Sequence, residues 1–134
     1  MQVRAGIVID THVWIWLVSE PRRLSKRAAA AISSAEIVGV SAISAWEIAT
    51  KVALGRIELD RDVDVWVRQA LAIDRVESIS VDTAIAVMAG TLGAEGLHGD
   101  PADRLIAATA LFHHAPLVTK DARLRSFARL RTIW

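Results

Sequence analysis

Residues 5–18 read AGIVIDTHVWIWLV, and this stretch decides the expected fold. Residues 5–9 form a continuous apolar run rich in β-branched side chains, which is typical of a strand buried on both faces of a parallel sheet. Asp10 ends that run. Residues 11–18 then carry several apolar side chains and stop before Ser-Glu-Pro, a break that predicts a short helix returning across the sheet. The chain therefore opens with a strand, an acidic residue and a helix.

The same order of strand and then helix recurs along the rest of the chain. We predict further strands at 37–40, 77–81 and 117–119 and an edge strand at 132–134, with helices at 25–35, 44–54, 60–73, 83–91, 101–113 and 121–127. The glycine-rich stretch GAEGLHG at 93–99 is expected to be a loop. This order favours the α/β class, with a short parallel sheet sandwiched between helices. We find no repeat or linker and predict one domain over residues 1–134.

The composition excludes several classes of protein. A length of 134 residues suits one domain, and 53% hydrophobic against 23% charged residues argue against a disordered chain. The absence of cysteine excludes disulfides, thiolate metal sites and a cysteine nucleophile. No window approaches the roughly 18 apolar residues of a membrane helix, and Asp10 interrupts the apolar segment of a would-be signal peptide. We expect a cytoplasmic protein that does not bind membranes, while the net charge of +1 alone does not predict a nucleic-acid binder.

Acidic side chains follow the predicted strands or open the predicted helices. Asp10 follows IVI, Glu47 lies one turn past VGVS, and Asp121 follows LVTK. Asp100 and Asp103 open the helix predicted next to the glycine-rich loop. Ligands of open α/β sheets bind outside the carboxyl ends of the strands. These five acids could therefore meet in one pocket.

A capping role explains most of these acids equally well. Ser44 with Glu47 fits the S-x-x-E capping box, and the acids that precede the last two predicted helices fit N-cap positions. Asp10 is the exception, because Thr11 could cap the first helix in its place. Capping alone requires no convergence of the acids.

Convergence would require a partner for the acids, because clustered carboxylates repel one another unless protons or a cation neutralise them. Oxygen ligands in a chain without cysteine favour Mg²⁺ or Mn²⁺. Such an ion neutralises charge that develops on a phosphodiester and lowers the pKa of a bound water. The acids thus indicate phosphoryl chemistry if they converge.

Four ordered blocks of sequence contain these acids: IVIDTHVWIWL at 7–17, VSAISAWEIATKVALGRI at 40–57, HGDPADRLIAATAL at 98–111 and LVTKDARL at 117–124. In these blocks the chain closely resembles the PIN-domain ribonucleases, and among them the VapC-type toxins of bacterial toxin–antitoxin pairs. The resemblance implies an Mg²⁺-dependent endoribonuclease that hydrolyses RNA through a metal-activated water and leaves a 5′-phosphate and a 3′-hydroxyl. It also implies a homodimer, inhibition by a cognate antitoxin protein, and DNA binding only through that antitoxin.

By this resemblance the metal-binding and catalytic residues are Asp10, Glu47, Asp103 and Asp121. Asp10 and Asp103 are expected to hold the principal ion, and the other two acids to complete the pocket directly or through water. Asp100 is expected to assist at the rim as a further metal-binding acid. Thr11 or Thr119 is expected to orient a carboxylate or a water.

Basic and tryptophan residues leave alternatives open. Basic residues concentrate at 22–27 and 120–131, where they suit either an RNA path or an exposed charged surface without further function. Core packing is expected for most tryptophans, although Trp14, Trp16 or Trp46 could line a groove for an antitoxin helix.

Two other functions remain open from the sequence. A receiver-like phosphotransfer pocket could use Asp10, Thr119 and Lys120, but the paired acid that receivers carry after the first strand is not evident. The non-enzymatic alternative is a catalytically weak PIN-like module that acts mainly through a complex with an antitoxin. The presence of all four acids argues against lost catalysis.

Overall fold

The computed structural model describes residues 6–134, and this part of the chain forms five strands, seven α-helices and one 3₁₀ turn. In chain order they are β1 (Gly6–Ile9), α1 (Thr11–Ser19), the 3₁₀ turn (Pro21–Arg23), α2 (Lys26–Ser34), β2 (Ile37–Ser41), α3 (Ala42–Ala53), α4 (Val63–Leu71), β3 (Val76–Ile79), α5 (Thr83–Leu92), α6 (Pro101–Phe112), β4 (Leu117–Val118), α7 (Ala122–Ser126) and β5 (Thr132–Ile133). The predicted order of elements is confirmed, although residue 5, the predicted start of the first strand, lies outside the described residues. Within them, no helix is both long and apolar enough to cross a membrane.

All five strands are parallel, and they lie in the order β3-β2-β1-β4-β5. β1 occupies the centre, where Val8 is in register with Gly39 of β2 and Leu117 of β4. The predicted α/β class with a parallel sheet is confirmed, and β5 is an edge strand as expected. The carboxyl ends of all five strands consequently lie at the same edge of the sheet.

Helices cover both faces of the sheet, because successive side chains of a strand point to opposite sides. Ile7 and Ile9 belong to a core that β1 shares with α1 to α4. Val8, between them, belongs to the core formed with α5 and α6. On this second face a side chain at Gly39 would collide with Ile79, since an added Cβ would lie 2.5 Å from its Cδ1 atom. The absence of a side chain at Gly39 thus leaves room on β2 for the side chain of Ile79.

Two expected capping roles are wrong, and the difference matters for the site. Asp10, not Thr11, caps α1, and its Oδ1 accepts a hydrogen bond from the Thr11 backbone N–H at 2.8 Å. Ser41, not Ser44, caps α3, and its hydroxyl accepts from Ile43 N–H at 3.3 Å. The predicted capping box fails because β2 continues to Ser41 and leads directly into the helix. The side chains of Ser44 and of the acid three residues later are therefore available for other contacts.

The other acidic caps are confirmed. Asp100 caps α6 by accepting a hydrogen bond from Ala102 N–H at 2.9 Å. Asp121 caps α7, and its Oδ1 accepts from the backbone N–H groups of Arg123 at 2.9 Å and Leu124 at 3.2 Å. Both acids therefore have a local structural role, whatever else they do.

The tryptophans divide between the core and the surface. Trp14 of α1 and Trp66 of α4 are buried and meet edge to face with ring centroids 5.3 Å apart, which joins the two helices. Trp46 of α3, in contrast, exposes 58% of its surface. Core packing is confirmed for Trp14 and Trp66 but does not apply to Trp46.

Candidate metal centre

The carboxyl end of the sheet collects the five acids singled out from the sequence. Asp10 directly follows β1, and Asp121 follows β4 after two further residues. Glu47 lies on α3, the helix that begins where β2 ends. Asp100 and Asp103 occupy the cap and the first turn of α6. Since the strands are parallel, the acids reach this end of the sheet from distant parts of the chain.

Three of the acids form a tight group. Among the described residues, Glu47, Asp100 and Asp103 each offer a carboxylate oxygen within 4.8 Å of the other two. Glu47 is buried, Asp103 is partly buried and Asp100 is exposed, so the group extends from the protein interior to solvent. This arrangement leaves one side open to a ligand.

The electrostatics of Asp103 extend this group to the other two acids. Burial raises the pKa of Asp103 from its usual 3.8 to about 7, and the negative charges of Asp10, Asp121, Asp100 and Glu47 contribute to the rise, in decreasing order. A carboxyl group with such a pKa retains a proton near neutral pH unless a cation replaces it. All five acids therefore belong to one electrostatic environment.

Glu47 is positioned by a hydroxyl network. The Thr11 hydroxyl donates to Glu47 Oε1 at 2.5 Å and lies 2.8 Å from the Ser44 hydroxyl. Because the Thr11 hydroxyl has one proton and gives it to Glu47, the Ser44 hydroxyl donates to Thr11. Burial raises the pKa of Glu47, while the Thr11 hydrogen bond and the nearby charge of Lys51 partly oppose that rise. The network thus holds a buried carboxylate in one orientation.

Asp10 is held more firmly than the other acids. Its Oδ1 accepts from Thr11 N–H, and its Oδ2 accepts from the Thr119 hydroxyl at 2.6 Å. The Thr119 oxygen in turn accepts from the backbone N–H of Asp121 at 3.0 Å, so one threonine connects the ends of β1 and β4. His12 Nδ1 lies 3.6 Å from Asp10 Oδ2. Each carboxylate oxygen of Asp10 still has a lone pair that could face a cation.

The donor set suits a hard divalent cation. Mg²⁺ binds oxygens at about 2.1 Å, so oxygens that share one ion lie at most about 4.2 Å apart. The 4.8 Å group of Glu47, Asp100 and Asp103 requires little adjustment to meet that geometry. The raised pKa of Asp103 agrees with this conclusion, because a cation would relieve the repulsion that now favours its proton.

The tight group contains three of the five predicted acids. Asp100 is its exposed member, which agrees with the expected position at the rim, and Asp10 is not part of it; which acids bind the ion stays a prediction. The expectation that a threonine orients a carboxylate is confirmed for both Thr11 and Thr119. Ser44 was missed, because the S-x-x-E pattern suggested a cap. The missing signal was the polar residue at the end of β2, which fixes where the helix starts.

Another cavity lies away from the acids. It measures about 460 Å³ and is lined by residues of α7 and the segment after it, together with Glu95, and it contains none of the five acids. Arg129 pairs with Glu95 there at 2.5 Å. Its basic lining belongs to the cluster at 120–131, but no group there could carry out chemistry comparable to that of the acids.

The sequence of this chain matches a known protein family over the region that contains the acids. The model of the PIN domain family matches residues 7–130, a range that includes all five acids. Ribonuclease VapC22 of Mycobacterium tuberculosis is 41% identical to this chain over 130 residues, which cover 96% of this chain and 98% of the relative.

Solved structures show the same fold. DNA-bound VapBC from Salmonella typhimurium superposes with a TM-score of 0.72 at 19% identity, over 96% of this chain and 97% of the matched chain. VapBC-5 from Mycobacterium tuberculosis, a member of the VapBC family of toxin–antitoxin systems, gives a TM-score of 0.61 at 21% identity, over 96% and 98% of the two chains.

Proposed function

Because this chain belongs to the PIN-domain family and to its VapC branch, we propose that it is a divalent-cation-dependent endoribonuclease that acts as the toxin of a toxin–antitoxin pair. The relative named as a ribonuclease supports the activity, and the structural neighbours named as toxin–antitoxin complexes support the biological role. We propose further that residues 1–134 work as one catalytic domain in the cytoplasm, where RNA is accessible.

The observation that carries this proposal is the convergence of Glu47, Asp100 and Asp103. Three carboxylate oxygens within 4.8 Å of one another are costly to assemble, because their charges repel. Helix capping explains the position of Asp100 but not the proximity of Glu47, which caps no helix. A cation that the three share explains the arrangement.

The proposed cation is Mg²⁺, with Mn²⁺ able to replace it. When bound, such an ion neutralises charge that develops on a phosphodiester and activates a water for attack in line with the leaving oxygen. Glu47, Asp100 and Asp103 would hold it, with Asp10 and Asp121 completing the acidic pocket. These five residues are our proposed metal-binding set, and all but Asp100 form the proposed catalytic set.

The remaining polar residues of the site fix the orientation of the acids. Thr119 donates to Asp10 and accepts from Asp121 N–H, so one hydroxyl connects the ends of β1 and β4. Thr11 and Ser44 fix Glu47. Partners of this kind set ligand geometry, and their loss typically reduces metal affinity or activity by about 10- to 100-fold.

RNA cleavage by the purified chain tests the catalytic part of the proposal. We expect new RNA 5′ ends with wild-type protein and Mg²⁺, and none after EDTA or with Asp103→Asn. Asp82→Asn is the matched control: Asp82 caps α5 through Ile85 N–H, asparagine caps equally well, and the charge of Asp82 contributes to the pKa of neither Asp103 nor Glu47. Undiminished cleavage in EDTA or by Asp103→Asn would reject the metal site.

We also propose a homodimer and a cognate antitoxin as partners, with DNA bound only through the antitoxin. Support for the antitoxin comes from neighbours whose descriptions name VapBC, one of them bound to DNA, while the homodimer rests on the resemblance to the VapC-type toxins. Inducible expression should arrest growth, and co-expression of the product of a short adjacent reading frame should restore it.

Asp10→Asn separates the enzyme from the alternative of a catalytically weak binding module. Asparagine at this position keeps an acceptor for Thr11 N–H and Thr119 but removes the charge. We expect this variant to lose growth arrest while still forming the antitoxin complex. Growth arrest at the wild-type level would instead favour the binding module.

A further inference from the structure

Trp46 presents an exposed aromatic ring directly beside the acidic site. All five tryptophans lie in the described part of the chain, and Trp46 is the one with more than half of its surface exposed, at 58%. It immediately precedes Glu47 on α3. Burial of such a ring provides about 2 kcal/mol or more of stabilisation, which the exposed ring of Trp46 leaves available for contact with a ligand.

The periodicity of α3 builds a small cavity on the Trp46 side of the acids. Trp46 and Leu54 are eight residues apart and share one helical face, while Glu47 and Lys51 share the adjoining face. Both faces line a cavity of about 180 Å³, and Asp100 at the start of α6 lines it as well. This volume is below the roughly 300–1,000 Å³ of sites for drug-sized ligands, and it suits one flat ring system.

The lining of this cavity carries charges of both signs. Its two acids, Glu47 and Asp100, also belong to the tight acidic group. Its two basic residues are Lys51 and Arg56, and within residues 6–134 neither of them forms an ion pair. The cavity therefore combines an aromatic wall, two available cations and direct continuity with the site of proposed cleavage.

A nucleotide has the chemistry that matches all three features. Aromatic side chains bind single-stranded RNA by stacking on its bases, and basic side chains beside them neutralise the phosphates. An apolar anchor from a protein would use the ring and leave Lys51 and Arg56 without a partner. A basic anchor would be attracted by the acids Glu47 and Asp100 but repelled by the two cations, whereas the cation proposed to bind those acids would offset their repulsion of a phosphate.

We propose that this cavity binds the base of a nucleotide next to the cleaved bond, with Trp46 stacked on the base and Lys51 and Arg56 facing the adjoining phosphate. The inference rests on the proposed ribonuclease function and adds to it a subsite that fixes where the strand lies. Stacking tolerates every base, so Trp46 sets the register of the RNA more than it selects a sequence.

The test combines protein variants with RNAs that lack a single base. All proteins in the test carry Asp103→Asn, which keeps the RNA strand intact, and one of them also carries Trp46→Ala. Each is bound to a series of short labelled single-stranded RNAs in which one abasic nucleotide occupies a different position. We expect Trp46→Ala to weaken binding roughly 10-fold and Trp46→Phe to restore most of it. We expect an abasic nucleotide at one position to weaken binding to the protein that retains Trp46 but to cause no further loss with Trp46→Ala.

The control is Val87→Ala, which removes a similarly exposed apolar side chain, 63% exposed, from α5. It should leave RNA binding unchanged, as measured by fluorescence anisotropy. Trp46 lies on the surface of a helix and alanine favours helices, so circular dichroism should show that Trp46→Ala folds normally.

Three outcomes would overturn the subsite. Additive losses at every abasic position would mean that Trp46 does not stack on a base. Unchanged RNA binding by Trp46→Ala, together with weakened self-association or antitoxin binding, would assign the ring to a protein interface, while the ribonuclease function would still stand if wild type cleaves RNA. Failure of the wild-type protein both to bind and to cleave RNA would reject the subsite and the proposed function together.

Discussion

Two sets of acids share the carboxyl end of the sheet but differ in how the protein holds them. Asp10 and Asp121 are bonded to donors of the protein itself: Asp10 to a backbone N–H and the Thr119 hydroxyl, Asp121 to two backbone N–H groups of α7. Asp103 sits beside Glu47 and Asp100 in the tight acidic group, and its pKa rises to about 7. Glu47 and Asp100 also accept hydrogen bonds from the protein, whereas within residues 6–134 the Asp103 side chain accepts none and is left in need of a cation or a proton.

The difference between the two sets distinguishes acids that protein donors hold in place from acids that are available to a cation. Protein donors hold the side chains of Asp10 and Asp121 in place without any ion. The carboxylates of the tight group destabilise the folded protein when all are charged, and a cation would reverse that effect. We therefore expect substitutions in the two sets to affect stability in opposite directions.

The largest effect is expected from Asp103→Asn on catalysis. Loss of one carboxylate from the tight group should reduce RNA cleavage at least about 100-fold, since even partners outside the metal's direct ligands cost about 10- to 100-fold. Initial rates at saturating Mg²⁺ measure this loss, with Asp82→Asn as the comparison. A fall of only a few-fold would place Asp103 outside the metal site.

Thr119→Val should have a smaller effect on cleavage, and it should also lower stability by acting on the first set of acids. It removes the hydroxyl that donates to Asp10 Oδ2 and leaves a buried carboxylate oxygen without its donor, a loss of about 1–3 kcal/mol in the free energy of unfolding. Cleavage should fall about 10-fold, because Asp10 loses its orientation. Urea denaturation and initial rates measure the two effects.

Thr109→Val is the matched control for this prediction. Thr109 is equally buried, but its hydroxyl donates only to the Leu105 carbonyl of its own helix at 2.8 Å. Cleavage by this variant should stay at the wild-type level. A parallel loss of activity in both variants would mean that Thr119 acts through general stability and not through Asp10.

The stability of the metal-free protein should fall as the pH rises towards neutrality. The folded pKa of Asp103 is raised from 3.8 to about 7, so its contribution is fully present below about pH 4 and is lost as the pH rises to about 7. Because the Asp103 carboxyl group is only partly removed from water, we expect this contribution to the free energy of unfolding to be only about 1–2 kcal/mol. Urea denaturation of wild type and Asp103→Asn in EDTA, at pH 4 and at pH 8, measures this loss of stability.

Added Mg²⁺ should reverse this trend, since the ion competes with the proton for the same carboxylate. Stabilisation by Mg²⁺ should therefore grow between about pH 5 and about pH 8 for wild type and be nearly absent for Asp103→Asn. The same pH dependence in both proteins would show that Asp103 does not carry the raised pKa.

The smallest effect on stability is expected from Asp121→Asn. Asparagine accepts hydrogen bonds at an N-cap as well as aspartate does, so the free energy of unfolding should change by less than about 0.5 kcal/mol. Asp121→Ala, which loses the bonds to Arg123 and Leu124, should cost about 1 kcal/mol. Thermal unfolding of the two variants compares them, and equal losses would mean that the cap contributes nothing.

The sequence predicted the order of the elements and the end of the sheet at which the acids lie. Those features follow from local patterns: an apolar run predicts a buried strand, and an acid after it marks the end of that strand. The predicted helix at 44–54 shows the limit of such patterns. It begins at Ala42 because Ser41 caps it, whereas the S-x-x-E pattern had pointed to Ser44.

The arrangement within the site depended on contacts between distant parts of the chain. Thr119 is 109 residues from Asp10, and Thr11 is 36 residues from Glu47, so no local pattern could pair them. Asp100 was expected near Asp103 because it lies three residues earlier on the same helix, but only the packing of α3 against α6 brings it to Glu47. Helix packing sets such distances to within ångströms, a resolution that sequence spacing lacks.

The sequence by itself determined the parallel α/β fold, because short-range periodicity and capping chemistry fix strands, helices and their ends, and the resemblance of four sequence blocks indicated the family and the five acids. Only the tertiary structure decided which acids form the tight group and that Asp103 lies there without a hydrogen bond from the described protein. It also decided that Trp46 faces solvent beside the acids while Trp14 is buried. Burial and distance are properties of packed elements, and both arise only when the helices settle on the sheet.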